Sequence, residues 1–190
     1  MGITGKVKRY LKHISLKKEK VDSPVLYGSL LEGRVALITG GTSGIGLAMA
    51  EAFARNGASV AITGRSRARL DAAIGRIAEK VEGSSVTGVV LDNSTGDEGD
   101  FSRALDEAER ALGRPLDALV NNAGVIAGGS IPSTSMKGFD LTIDTNLRGS
   151  YFLSQAFARR LAADKRSGNI LNVCSSSSLR PAISPYTVSK

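Results

Sequence analysis

The chain has 190 residues, 42% hydrophobic and 23% charged, a balance that excludes a disordered chain and predicts a globular domain. Its one cysteine and one histidine exclude an intrachain disulfide and argue against a conventional zinc site. The net charge is +7, but residues 1–20 carry +6 of it, so the basic character belongs to a tail and not to the domain.

The lysine-rich stretch 1–32 is predicted to be an N-terminal extension, with a helix near residues 6–20 as one interpretation. A solvated tail is favoured, although a short basic segment can also touch acidic lipid or nucleic acid. No apolar run approaches the roughly 20 residues that span a bilayer, and the N-terminus lacks the apolar region of a secretory signal. We therefore expect a cytoplasmic protein with no stable membrane insertion and no nucleic-acid partner.

From Gly33 onward, short apolar runs alternate with amphipathic segments. The apolar runs are typical of strands buried on both faces, and the segments between them repeat apolar residues at spacings of three and four, as helices do. In chain order the predicted elements are strand 35–39, helix 45–56, strand 59–63, a helix including 70–81, strand 86–91, a helix including 101–112, strand 116–120, a long helix 138–163, strand 170–174 and a helix that starts at 184–185.

This alternation predicts an α/β fold in which a parallel sheet has helices on both faces. Right-handed crossovers then fix the winding of the chain. The helix over 138–163 is apolar around much of its circumference, so we expect it to lie between neighbouring elements. Ligands of such sheets bind outside the carboxyl ends of the strands, where the motifs described next are found.

A glycine-rich loop follows the first predicted strand, with the spacing G-x-x-x-G-x-G rather than G-x-G-x-x-G. Glycines permit a tight turn and a close approach of pyrophosphate, and the following helix N-terminus presents free N–H groups and a positive dipole end to the anion. A glycine turn that binds nothing is the alternative. The residues expected to bind the anion are Gly40, Thr42, Ser43, Gly44, Ile45 and Gly46.

Two further motifs follow later strands: Asn121-Asn122-Ala123-Gly124 after the fourth, and Tyr186-x-x-x-Lys190 after the fifth. Together with the glycine loop, and in this order, they resemble the short-chain dehydrogenase/reductase family over residues 33–190. The resemblance implies a Rossmann-type, doubly wound, three-layer fold. It also implies reversible hydride transfer between NAD(H) or NADP(H) and an alcohol/carbonyl pair, in which the cofactor carries the chemistry and the protein orients it.

The resemblance does not include the C-terminal part of the family, which normally completes the sheet and supplies much of the substrate pocket. We therefore expect a domain that is truncated after the Y-x-x-x-K motif. In a full-length form, relatives usually form homo-oligomers through the helix near 138–163 and the helix that begins at Tyr186.

Tyr186 and Lys190 are four residues apart, so in a helix they share one face, with Cβ atoms about 5–6 Å apart. Free tyrosine ionises only near pH 10, and a nearby ammonium favours the phenolate, which gives a poised acid/base. By resemblance, Tyr186 protonates the carbonyl oxygen during reduction and Lys190 also binds the nicotinamide ribose. Taken alone, this spacing is more often a pair on a helix surface.

A second donor to the carbonyl oxygen is expected just past the fifth strand, in an oxyanion-hole role. By resemblance this is Ser175, but the gap of 11 residues to Tyr186 is about two shorter than usual, so Ser176 stays open. Asn146 matches a helix asparagine that, in similar enzymes, holds a water linking the lysine to solvent. A purely structural asparagine is the alternative there.

The adenosine side of the cofactor is expected to meet residues at two other strand ends. By resemblance, Asn122, Ala123 and Gly124 line the adenosine, and Asp92 and Asn93 lie near the adenine. Asp92 is equally well explained as a helix-capping aspartate. Asn121 is expected to be structural and to pin neighbouring strands.

The residue at the end of the second strand distinguishes NAD from NADP, because an acidic side chain there binds the ribose 2′-hydroxyl. This chain has Gly64 followed by Arg65, with Arg67 and Arg69 nearby, so no carboxylate repels a 2′-phosphate and a guanidinium at Arg65 can pair with it. NADP(H) is therefore favoured, and NAD(H) stays open. Arginines that are simply solvated are the alternative.

The sequence thus predicts an NAD(P)(H)-dependent oxidoreductase acting on a small-molecule alcohol or carbonyl, with the substrate itself left undetermined. The alternative is a catalytically incomplete fragment or a non-enzymatic dinucleotide-binding protein. A sugar-nucleotide epimerase or dehydratase is disfavoured, because those relatives usually show a different glycine spacing.

Overall fold

The computed structural model describes residues 28–179 and 183–190. The expected helix near 6–20, the basic tail and most of the 1–32 extension lie outside the described residues. Within the described ranges the elements are β1 (Val35–Ile38), α1 (Gly44–Arg55), β2 (Ser59–Gly64), α2 (Arg67–Ala78), β3 (Val86–Val90), α3 (Glu98–Leu112), β4 (Ala118–Asn121), α4 (Met136–Ile143), a π-helical turn (Asp144–Arg148), α5 (Gly149–Ala163), β5 (Asn169–Asn172), a 3₁₀ turn (Ser176–Leu179) and α6 (Pro185–Ser189).

The five strands form one parallel sheet in the order β3-β2-β1-β4-β5. The chain therefore winds outward from β1 to β3 in one direction and then returns to β4 and β5 in the other. All four residues of β1 are buried, because β1 is central and covered on both faces. This topology confirms the predicted Rossmann-type α/β architecture, and it places the switch in strand order between β1 and β4.

Two hydrophobic clusters lie on opposite faces of the sheet, because successive strand residues point to opposite sides. On one face, Leu37 and Leu119 pack with residues of α3 and α5, such as Phe101 and Phe157. On the other, Ile38, Ile62 and Val120 pack with residues of α1 and α2. The glycine loop is thus fixed between a central strand and a helix that is anchored in the core.

The predicted long helix over 138–163 is present as an uninterrupted helical run from 136 to 163, with a π-helical turn at Asp144–Arg148 between α4 and α5. The expectation that neighbours enclose it is wrong: α5 buries one stripe, while Tyr151 is 61% exposed and Leu147 48% exposed. Sequence periodicity does not distinguish a π turn from an α turn, because one inserted residue barely changes the apolar pattern.

The fourth and fifth strands begin and end up to two residues from the predicted bounds. Leu116 was expected to open β4, but its N–H donates to Glu109 Oε1 and its carbonyl accepts from Arg166 Nη1, so its backbone joins side chains instead of the sheet. β5 was expected to reach Cys174, and it ends at Asn172, opposite the last residue of β4. β5 is the edge strand, and all four of its residues are exposed.

Local capping explains several helix starts. Ser66 caps α2, Ser135 caps α4, and Asp97 forms a reciprocal capping box with Asp100 at α3. The expected N-cap of the last helix is confirmed, since Ser184 accepts from the Thr187 N–H and Pro185 occupies the first turn.

Residues 28–32 contact the end of α1, where the Leu31 N–H donates to the Asn56 carbonyl, and the domain boundary at residue 33 stays a prediction. Among the described helices, none combines the length and apolar character that a bilayer crossing requires.

Candidate functional site

A cavity of about 350 Å³ opens at the carboxyl ends of β1, β2, β3 and β4, where a doubly wound sheet binds ligands. Many of the residues predicted from the sequence line it together. The lining consists of Gly40, Thr42, Ser43, Ile45, Thr63, Gly64, Arg65, Ser66, Arg69, Leu91, Asp92, Asn93, Asn122, Ala123, Gly124, Val125 and Thr145.

Gly44 and Gly46 were predicted with this set but do not line the cavity. They determine the conformation of the loop that does. Gly44 has a φ of 56°, in the region that favours glycine. A Cβ on Gly46 would collide with the Gly40 carbonyl oxygen and with Asn122 Nδ2, so only glycine lets α1 start this close to the loop. The first turn of α1 has no acidic residue and no side-chain cap, and its N–H groups are therefore free to face an anion.

The glycine loop is joined to the loop after β4 by two side chains. Thr39 is fully buried, and its Oγ1 accepts from the N–H groups of Asn122 and Ala123, both at 2.9 Å. In return, Asn122 Nδ2 donates to the Thr39 carbonyl oxygen at 2.9 Å. The role of Thr39 was not predicted from the sequence. The signal that could have indicated it is a threonine at the end of an otherwise apolar strand.

The end of β2 presents two arginines to the cavity. Arg65 and Arg69 line it, and Ser66 between them caps α2. Arg67 points elsewhere: its Nη1 donates to the Gly88 carbonyl at 3.0 Å, and its guanidinium pairs with acidic side chains of α2 and α3. Arg69 was noted only as a neighbour of Arg65, and helical spacing from Ser66 explains why it reaches the same side.

Asp92 and Asn93 lie in the cavity wall after β3. Asp92 does not cap a helix, because Asp97 caps α3; instead, Asp92 Oδ1 accepts from the Ser94 N–H at 2.9 Å and from its hydroxyl at 2.7 Å. Asn93 is 5% exposed, and its Nδ2 has no hydrogen-bond partner among the described residues. This strand end therefore lines the cavity with Asp92, whose carboxylate is engaged by Ser94, and with Asn93, whose Nδ2 is buried.

Lys190 and Asn146 do not line this cavity; they lie next to Gly124 in its wall and line a neighbouring cavity with Tyr151 and Ser154. A Cβ on Gly124 would lie 3.3 Å from Lys190 Nζ and 3.4 Å from Asn146 Oδ1, so the absence of a side chain there makes room for both groups. Lys190 Nζ donates to the Val173 carbonyl at 2.9 Å and makes no ion pair with a described carboxylate. The Lys190 ammonium therefore lies next to Gly124 without a described carboxylate that neutralises it.

Asn146 lies in the π-helical turn, and its side-chain amide forms hydrogen bonds with other groups of the protein. Oδ1 accepts from the Val125 N–H at 2.8 Å, and Nδ2 donates to the Val125 carbonyl at 3.0 Å and to Ser189 Oγ at 2.9 Å. The side chain thereby ties the loop after β4 to α6. Ser189 was not singled out from the sequence, although it immediately precedes Lys190.

Tyr186 is half-buried, and its hydroxyl forms no hydrogen bond with the described residues. Ser175 is half-buried as well, and its Oγ accepts from the Ser177 N–H at 3.1 Å at the start of the 3₁₀ turn. Ser176 is exposed. Neither serine nor Tyr186 lines the 350 Å³ cavity, so the structure brings the cofactor set together more completely than the proton-transfer set.

Asn121 joins three elements at the same end of the sheet. Its Nδ2 donates to Asn172 Oδ1 on β5 at 2.9 Å and to Ser154 Oγ on α5 at 2.8 Å. The expectation that Asn121 pins neighbouring strands is confirmed.

Known proteins are similar to this chain in both sequence and architecture. The chain is 38% identical over 163 residues to gluconate 5-dehydrogenase of Gluconobacter oxydans, and that match covers 84% of the chain and 61% of the relative. It is 33% identical over 162 residues to the NADP-dependent (R)-specific alcohol dehydrogenase of Lentilactobacillus kefiri, with 84% and 62% covered. The chain thus spans about three fifths of the length of these curated relatives.

Among solved structures, the apo form of LigD from Sphingobium sp. strain SYK-6 superposes with a TM-score of 0.76 at 32% identity, over 84% of this chain and 67% of that one. The actinorhodin polyketide ketoreductase with NADPH superposes with a TM-score of 0.74 at 26% identity, over 82% and 59%. Residues 34–190 match the sequence profile described as short chain dehydrogenase. The glycine loop, the asparagine motif and the Y-x-x-x-K helix therefore have a common explanation: this chain belongs to the short-chain dehydrogenase family.

Proposed function

We propose that this chain carries the cofactor site and the proton-transfer group of an NAD(P)(H)-dependent oxidoreductase that interconverts an alcohol and a ketone or aldehyde. The observation that carries the proposal is the junction at Gly124, where the dinucleotide-type cavity meets Lys190 and Asn146. Relatives that are named as dehydrogenases support the reaction class. The identity of the small-molecule substrate, the cytoplasmic location and homo-oligomer formation remain predictions.

The residues present fit a dinucleotide cofactor. The uncapped N-terminus of α1 and the glycine loop suit a pyrophosphate, and Asp92 and Asn93 line the cavity wall after β3. Gly40, Thr42, Ser43 and Ile45 would hold the phosphates, while Asp92 and Asn122–Gly124 would hold the adenosine side. Lys190 and Tyr186 would hold the nicotinamide ribose. When bound, the cofactor supplies or accepts the hydride.

The chain's own chemistry is the movement of one proton. During reduction the Tyr186 hydroxyl donates its proton to the carbonyl oxygen, and during oxidation it takes a proton from the alcohol. Ser175 donates a hydrogen bond to the same substrate oxygen, with Ser176 as the alternative donor.

Asn146 acts as a positioning residue in this scheme. Its amide holds the Val125 backbone and Ser189, and so it fixes the end of α6, next to Lys190, relative to the loop after β4. Because both amide hydrogens are engaged by protein groups, a water relay at Asn146 would use atoms other than Nδ2. The relay remains an expectation from the resemblance.

We propose NADP(H) as the preferred cofactor. Arg65 and Arg69 line the cavity at the end of β2, and no carboxylate accompanies them there. Two guanidinium groups favour a 2′-phosphate, which they can bind through charge-assisted hydrogen bonds. One relative is named NADP-dependent, and the ketoreductase structure is described with NADPH, which is consistent with this preference.

The test of the proposed function is the Tyr186→Phe variant, which removes the hydroxyl and keeps the ring. Turnover on a panel of alcohols and carbonyls should fall at least about 100-fold, the usual contribution of a general acid/base, while cofactor binding followed by fluorescence is retained. Ser85→Ala is the control for the loss of a hydroxyl, because Ser85 is exposed and immediately precedes β3, at the opposite end of that strand from the cavity.

Undiminished turnover in Tyr186→Phe would remove this residue from its role. Cofactor binding by the unmodified chain without turnover on any member of the panel would instead favour the non-enzymatic alternative.

A further inference from the structure

Ser189 is a buried residue of α6 whose hydroxyl both accepts and donates a hydrogen bond. It is 7% exposed. Its Oγ accepts from Asn146 Nδ2 at 2.9 Å and donates to the Tyr186 carbonyl oxygen at 3.0 Å. Because a serine hydroxyl has one hydrogen, that hydrogen is used on α6 itself, and an Oγ lone pair receives the amide. The hydrogen bonds therefore run from Asn146 through Ser189 to the backbone of Tyr186.

The helix that carries this hydroxyl is too short to be stable without its neighbours. α6 has five residues, Pro185–Ser189, and isolated helices of that length are marginal in water. Its capping box joins Ser184 to Thr187 within the same segment, so it does not connect α6 to another element. In the described part of the chain, one side-chain hydrogen bond ties α6 to another element, and it is the bond between Ser189 and Asn146.

The Asn146 side chain is itself fixed by the loop after β4. Its Oδ1 accepts from the Val125 N–H at 2.8 Å, and its Nδ2 donates to the Val125 carbonyl at 3.0 Å. An amide nitrogen carries two hydrogens, so Val125 and Ser189 use both of them. Removal of the Ser189 hydroxyl would leave one of these buried hydrogens without an acceptor, which favours a shift of α6 or of Asn146.

The face of α6 that carries Ser189 adjoins the face that carries the Y-x-x-x-K side chains. With 3.6 residues per turn, Ser189 lies about 60° from Tyr186 and about 100° from Lys190 around the helix axis. A rotation of the helix that breaks the bond to Asn146 would turn both of these side chains with it. Lys190 Nζ lies next to Gly124 in the cavity wall, so such a rotation would also move the ammonium relative to the cavity.

We propose that Ser189 is a positioning residue: its hydroxyl, held by Asn146, fixes the rotation of α6 and thereby the directions of Tyr186 and Lys190. The inference rests on the proposed function, in which these two side chains hold the nicotinamide ribose and Tyr186 moves the proton. It deepens that function by adding a residue that acts through its neighbours and touches neither cofactor nor substrate.

The experiment compares Ser189→Val with Ser189→Thr in the 190-residue chain. The two side chains have the same shape, so the cost of the added methyl group is common to both. Only threonine keeps a hydroxyl that can bond the carbonyl three residues earlier. Turnover is measured on a panel of alcohols and carbonyls.

Binding to the same two variants and to the unmodified chain is measured by calorimetry with two ligands. One is whichever of NADPH and NADH binds more tightly. The other is the adenosine monophosphate part of that cofactor, with the 2′-phosphate where the cofactor is NADPH. This fragment lacks the nicotinamide ribose, so its affinity does not depend on the position of Lys190.

Ser189→Val should lower kcat about tenfold or more, because misplacement of a group by about 1 Å can cost 100-fold. The substrate KM should change less than about twofold, as for an interaction made in the transition state. Affinity for the cofactor should fall about three- to tenfold, and affinity for the fragment should change less than about twofold. Ser189→Thr should stay within about threefold of the unmodified chain in every measurement, since its hydroxyl is retained.

Equal kcat and equal cofactor affinity in the two variants overturn the inference, because the hydroxyl would then have no role of its own. An equal loss of affinity for cofactor and fragment in Ser189→Val also overturns it, since a general loss of structure would then be the cause. If circular dichroism shows that Ser189→Val does not fold, Ser189→Ala, which removes only the hydroxyl, is compared with the unmodified chain by the same criteria.

The unmodified chain separates this inference from the proposed function. Cofactor binding without turnover overturns the oxidoreductase assignment, and the comparison of cofactor with fragment still decides whether Ser189 positions Lys190. Binding of neither NADPH nor NADH overturns the proposed function and this inference with it.

Discussion

At the scale of single residues, the cavity is defined by which side chains are engaged by the protein and which are left for a ligand. Thr39 and Asn122 use their polar atoms to join two loops, and Asp92 uses one oxygen to hold its own turn. Arg65, Arg69 and Asn93 line the cavity, and the Asn93 Nδ2 is unpaired. The two arginines thus present cationic groups suited to a phosphate.

The three arginines near the end of β2 give a matched test of cofactor preference. Arg65→Ser and Arg69→Ser should each weaken NADPH binding about 5- to 20-fold, because each removes a charge-assisted hydrogen bond to the 2′-phosphate, and NADH binding should hardly change. Arg67→Ser is the control, since Arg67 is held by Gly88 and by carboxylates outside the cavity. Titrations of each variant with NADPH and with NADH measure these affinities. An equal effect of either substitution on NADPH and NADH binding would contradict a 2′-phosphate site.

At the scale of elements, the alternation of apolar strands and amphipathic helices was sufficient to predict the sheet, because a parallel strand buried on both faces leaves a distinct apolar run. The glycine loop and Tyr186–Lys190 were also predictable, since their spacing alone determines their place on a turn or a helix. The π-helical turn was not, because one inserted residue barely changes the apolar pattern. The hydrogen bonds of Asn146 with Val125 and the unpaired state of Asn93 depend on tertiary contacts, so they became evident only from the structure.

Glu51 in α1 forms ion pairs with Arg55 and with Lys80, which lies just after α2, and the effect of these pairs on its ionisation can be tested. Hydrogen bonds from Lys80 and then from Arg55 hold the pKa of Glu51 below its ordinary value of 4.5. A carboxyl group whose folded-state pKa is depressed stabilises the fold above its unfolded-state pKa, and this contribution is lost as the pH falls through the folded-state pKa.

Glu51→Gln should therefore lower the free energy of unfolding by about 0.5–1 kcal/mol at pH 7, the range for partly exposed ion pairs, and the difference should shrink as the pH falls from 4.5 to 3. Urea unfolding of both proteins across this range measures it. Glu82→Gln is the control, because Glu82 is exposed and makes no ion pair among the described residues. A difference that stays constant with pH would show that charge is not the cause.

At the scale of the whole molecule, packing is uneven across the sheet. The two hydrophobic clusters include three residues each of β1 and β2 and two of β4, and the four residues of β1 are at most 1% exposed. At the opposite extreme, β5 is exposed along its length, with Ile170 at 41% and Leu171 at 49%. The cofactor cavity lies over the well-packed strands, whereas Lys190 reaches its acceptor just beyond β5. The groups proposed for cofactor binding and for proton transfer thus lie in parts of the molecule that differ in burial.

Hydrogen exchange should show this gradient directly. Amides of β5 should exchange at least about 100-fold faster than those of β1, because an exposed edge strand opens locally while a central strand exchanges only when the whole fold opens. Saturating NADPH should slow exchange in the loops at 40–46 and 122–124, where the cavity is lined, and should raise the global stability by about 2.7 kcal/mol at a free concentration 100 times Kd. The amides of α3, which packs on the sheet away from the cavity lining, serve as an internal reference for the global term. Equal protection of β5 and β1 would contradict the gradient, and protection by NADPH that is confined to β5 would place the ligand on a surface other than the cavity.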